Sequence, residues 1–105
     1  MLLLLATAAC AGGRANTGAE PVARARIENR SNSDVDIYVR PQLKSATRLG
    51  FVPAADTAEF ALAPALLSGA SSFFFEARPI RGGSPTVSEP FTARTGEEIF
   101  WSIPP

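Results

Sequence analysis

From Val22 to Ile103 the apolar residues recur at every second position, and this period restricts the possible folds more than any other feature. Side chains of an extended chain point alternately to the two faces of a sheet, so period two makes one oily face and one wet face. In Val22–Asn29, Ala23, Ala25 and Ile27 alternate with Arg24, Arg26 and Glu28. Asp34–Arg40 sets Val35, Ile37 and Val39 against Asp36, Tyr38 and Arg40. The turn formers Arg30-Ser31-Asn32-Ser33 lie between these segments, which predicts a hairpin. Leu43–Val52 is expected to be a weaker strand with Leu49 and Phe51 on one face. A turn at Pro53–Asp56 follows, and Thr57–Leu62 then places Ala58, Phe60 and Leu62 together.

Ala63–Gly69 breaks the alternation. Proline near its start and glycine at its end predict a single helical turn, with Leu66 or Leu67 plugging one end of the core. Ser71–Ile80 is the most apolar segment, with Phe73, Phe75 and Ala77 on one face and Phe74, Glu76 and Arg78 on the other. Pro79 has no N–H for a ladder, so that end belongs at an edge or a bulge. After the loop Arg81–Pro85, short strands are expected around Thr86–Glu89 and Phe91–Arg94, then a tight turn at Thr95-Gly96. In Glu97–Ile103, Ile99, Trp101 and Ile103 alternate with Glu98, Phe100 and Ser102.

About seven short strands with frequent turn signals predict an all-β fold over residues 22–105, a two-sheet antiparallel β-sandwich. No ten-residue helical pattern supports a βαβ unit. The arrangement is similar to immunoglobulin-like or transthyretin-like sandwiches, without the usual cysteine pair. Segments such as Arg48-Leu49-Gly50 and Glu98–Ile103 also resemble small secreted β-sandwich proteins of bacterial envelopes, a likeness that brings no activity with it.

The first ten residues, MLLLLATAAC, have a different character: four leucines, then small residues, then the only cysteine. An apolar run leading into small residues is the pattern of an export signal, and it is too short to span a bilayer. It resembles the end of a bacterial lipoprotein signal, although Thr7 stands where that family usually has leucine and no Lys or Arg precedes the leucines. The resemblance implies that Cys10 is lipidated and becomes the mature N-terminus, making the protein a membrane-anchored envelope lipoprotein. An ordinary signal cleaved near Cys10, releasing a soluble periplasmic or secreted domain, is the alternative. Residues 11–21 (AGGRANTGAEP), without apolar periodicity, are expected to be a flexible linker.

Composition narrows the chemistry. Ten basic residues balance ten acidic ones, so nothing suggests a nucleic-acid partner. With no histidine, the chain lacks the usual neutral-pH general base and cannot build a Ser-His-Asp triad. A lone cysteine can form neither an intrachain disulfide nor a thiolate zinc site. Asn32, Ser33, Asp34 and Asp36 offer oxygens to a hard cation, but no glycine-punctuated loop or distant glutamate completes a calcium loop. Glu97 and Glu98 are neighbours on opposite faces of a strand and make no catalytic pair. No catalytic residue, cofactor or metal is expected. The expected role is a non-enzymatic interaction or structural module, with a small-ligand or glycan-binding module as the alternative. Tyr38, Phe74 and Phe100, aromatics on the wet faces, are the candidate contact residues for an envelope protein or glycan partner.

Overall fold

In a computed structural model, which describes residues 22–67, 70 and 72–105, the alternating segments become seven strands and one helical turn. The strands are β1 (Ala23–Asn29), β2 (Val35–Pro41), β3 (Thr47–Val52), β4 (Thr57–Leu62), β5 (Phe73–Pro79), β6 (Thr86–Val87) and β7 (Glu97–Ile103). The turn α1 (Pro64–Leu67) follows β4 and buries Leu67, with Leu66 packed beside the core. The expected export segment with Cys10 (residues 1–10) and the whole of the expected linker (residues 11–21) lie outside the described residues. Among the described residues, no helix is long and apolar enough to cross a membrane.

The strands form two sheets, ordered β4-β1-β7 and β3-β2-β5-β6. All pairings are antiparallel except β1 with β7, which run parallel. This is a β-sandwich. An immunoglobulin domain would put its first, second, fourth and fifth strands in one sheet. Here the first, fourth and seventh share one.

Alternation put the right residues inside. Ala23, Ala25 and Ile27 of β1 and Ile99, Trp101 and Ile103 of β7 face Val35, Ile37, Val39, Phe73, Phe75 and Ala77 of the other sheet across one core. Phe75 stacks on Trp101 with ring centroids 5.8 Å apart and joins the two layers. Phe91 closes the cluster at 5.5 Å from Phe75. Each fully buried aromatic contributes roughly 1.5–3 kcal/mol of transfer free energy.

Three expectations fail, the first being a strand over Phe91–Arg94, where only Phe91 pairs, in an isolated bridge to Phe73. β1 and β2 do not form a hairpin. Residues 30–34 carry the chain from one sheet to the other, and each strand pairs elsewhere. The buried Asn29 side chain holds this arch. Its Nδ2 donates to the carbonyls of Ser33, Val52 and Pro53, and its Oδ1 accepts from the N–H and hydroxyl of Ser31. A turn-forming segment suits an arch as well as a hairpin, because its local chemistry is the same.

β3 also differs from its expected face. Its register slips so that Ile37 opposes Gly50 while Tyr38 opposes Arg48, which leaves Leu49 as a bulge. Val52 and Gly50 therefore face inward and Phe51 outward, 44% exposed. Leu43 lies outside the strand at 94% exposure.

Pro79 sits at the end of β5, beyond the two residues that pair with β6, so it disrupts no ladder on that side. Beyond β6, Ser88 continues along β5. Its Oγ accepts from Phe75 N–H, its own N–H donates to Phe75 O, and Phe91 bridges Phe73.

Candidate functional site

The antiparallel register of β2 with β5 sets Tyr38 opposite Glu76, Asp36 opposite Arg78 and Arg40 opposite Phe74. Even-numbered residues of both strands point away from the core, so these six side chains share the outer face of the four-stranded sheet. Tyr38 and Phe74, both half-buried, are diagonal neighbours there. Phe51 adds an exposed ring opposite Asp36, and Val87 of β6 lies opposite Glu76.

Glu76 is the centre of the face. Its side chain is only 8% exposed, although it points outward, because its neighbours cover it. Its Oε1 accepts from Arg40 at 2.6 Å and from Arg78 at 3.3 Å. Burial alone would raise its pKa. The hydrogen bonds from Arg78 and Arg40, with their positive charges, outweigh that and hold the carboxyl below its ordinary value. The Arg78 guanidinium also lies 3.8 Å from the centroid of the Tyr38 ring, within cation–π range. Beside this group Arg48 pairs with Asp36 at 2.8 Å. Guanidinium, carboxylate and phenol are locked together, while both arginines keep nearly half their side-chain surface in solvent.

The three aromatics expected to act together are divided. Tyr38 and Phe74 share this face, whereas Phe100 stands 54% exposed on the outside of the other sheet, in register with Arg26. Outward orientation could be read residue by residue. Which sheet each strand joined could not. The contribution of Arg40, Glu76 and Arg78 was missed for the same reason. Outward-facing charges on two strands were visible, but only the β2–β5 pairing makes them one cluster.

Two of the four possible cation ligands are engaged otherwise. Asp34 Oδ1 accepts from Ala54 N–H, and Asp36 accepts from Arg48. Asn32, Ser33 and Asp34 line an open depression with Ile80 and Arg81. Among the described residues no three His, Cys, Asp or Glu side chains come together as a metal cluster. Glu97 accepts from Arg94 N–H at the turn before β7. Cys10 lies outside the described residues.

Comparison with known proteins finds no family model that matches the chain, no similar curated protein and no similar solved structure.

Proposed function

We propose that this chain is a membrane-anchored envelope lipoprotein, lipidated at Cys10, whose sandwich is a non-enzymatic interaction module. The observation that carries the interaction-module reading is the locked Tyr38–Arg78–Glu76–Arg40 cluster on the outer face of the four-stranded sheet, while the anchor rests on the sequence MLLLLATAAC. Tyrosine and arginine contribute most where proteins meet, and side chains already held in place lose little entropy on binding. Phe51, Phe74 and Val87 add apolar surface around that polar centre. The residues before Val22 serve as the tether that keeps this face off the membrane. A glycan platform at Tyr38 is the second reading. Phe74 beside Tyr38 favours it, but Arg78 already covers one side of the Tyr38 ring.

Two measurements test the proposal. In a bacterial host, a fatty-acid label should enter the wild-type chain and vanish with Cys10→Ala; a label that persists overturns the anchor. A photo-crosslinker at Phe74 of the membrane-bound chain should give a discrete adduct that Arg78→Ala reduces. Equal adducts from Ala61, on the opposite sheet, would overturn the assigned face. A thermal stabilisation by sugars approaching about 2.7 kcal/mol at a hundredfold excess over Kd, abolished by Tyr38→Ala, would favour the glycan reading instead.

A further inference from the structure

The last strand of the three-stranded sheet is an edge with little protection. β7 pairs with β1 on one side and, among the described residues, has no strand on the other. Natural edges are blunted by shortness, bulges, proline or charged side chains, lysine above all. Here β6 is two residues long, and β3 carries the Leu49 bulge. β7 is seven residues long, pairs with β1 without a register shift, contains neither proline nor lysine, and has its two charges, Glu97 and Glu98, only at its first end.

The backbone groups on that edge can be assigned. Arg30 N–H donates to Ile103 O, so Ile103 directs its peptide groups toward β1. Alternation along the strand then directs those of Ile99 and Trp101 toward β1 and those of Glu98, Phe100 and Ser102 toward the free edge.

We infer that β7 pairs with β7 of a second copy of this chain, antiparallel about a two-fold axis at Phe100, to make a continuous six-stranded sheet. The strand is self-complementary in that register. Phe100 meets its own copy and exchanges both peptide hydrogen bonds with it, while Glu98 and Ser102 do the same with the partner's Ser102 and Glu98. Six backbone hydrogen bonds result. On the outer face two exposed Phe100 rings meet at the axis, with Arg26 in register behind each. Glu97 and Glu98 lie at opposite ends of the seam, so like charges never oppose each other. The other edge of this sheet is less suitable, because centring β4 on its outward Glu59 would set two carboxylates face to face. A closed two-fold pairing of this kind ends at the dimer and leaves the Tyr38 face free on both copies. The inference does not depend on the anchor or on the partner of that face.

Cysteine placement reads the register directly. The full chain carrying Cys10→Ser, in a mild non-ionic detergent, is the background for each variant. Paired hydrogen-bonded residues place their Cα atoms about 5.5 Å apart, within disulfide reach. Phe100→Cys should therefore form a disulfide dimer under mild oxidation. Glu98→Cys alone should not, since the two sites lie about 14 Å apart along the seam. Mixed with Ser102→Cys, it should cross-link. Sedimentation of the Cys10→Ser chain should give twice the chain mass, and Phe100→Lys should weaken association about tenfold or more. A monomer at about 100 μM, or cross-linking by Glu98→Cys alone as efficient as by Phe100→Cys, overturns the inference.

Discussion

The ring of Phe60 lies directly over Gly50, so close that a Cβ at Gly50 would overlap Phe60 Cε1. These residues belong to different sheets, β4 and β3, and their contact brings the two layers together along that side of the sandwich. Gly50→Ala should force the ring aside and destabilise the fold by about 1–3 kcal/mol, the usual cost of overpacking. Urea denaturation measures it, and Phe60→Leu in the same chain should recover part of the loss because the two sites are coupled. No recovery would mean that β3 backbone strain, not the ring, sets the cost.

Asn29 stitches residues 30–34 to β3, with Nδ2 reaching three carbonyls. Asn29→Ala should cost about 3 kcal/mol, since several buried polar groups lose their partner at once. The expected signature is a lower denaturation midpoint with an unchanged m-value. A loss below about 0.5 kcal/mol would show that water replaces the side chain.

The Glu76 carboxyl is held below its ordinary pKa, so its contribution has a definite pH dependence. It is fully present above the unfolded value of about 4.3 and is lost as pH falls through the lower native value. Glu76→Gln should therefore be less stable near neutrality, by about 1–2 kcal/mol, with Arg40 and Arg78 losing their shared acceptor. The gap between wild type and variant should close as the medium is acidified below about pH 4. Denaturation midpoints measured from pH 2 to 7 test this, and a gap that widens toward acid would refute it.

Two adjacent phenylalanines test the alternation itself. Phe75 is fully buried and stacks on Trp101, while Phe74 is half-buried on the outer face. Phe75→Ala should cost about 3–5 kcal/mol by opening a core cavity, and Phe74→Ala about 1 kcal/mol or less. Similar losses at both positions would place β5 in the wrong register.

The period of two determined, without any partner strand, that this chain makes sheets and which residues of β1, β2, β5 and β7 enter the core. Ile27, Ile37, Phe75 and Trp101 are buried as their positions in the pattern require, because side-chain direction in an extended strand is a local property of the backbone. Proline likewise marked the start of the short helical turn, and glycine the turn at Gly96, since their φ preferences are local too. Strand partners were decided only in three dimensions. Every strand offers the same peptide groups on both edges, so choosing among them depends on how all the oily faces fit at once. That choice made residues 30–34 an arch, turned Phe51 outward past a bulge, brought Tyr38, Arg40, Glu76 and Arg78 into one cluster, and left Phe100 on the opposite side of the sandwich.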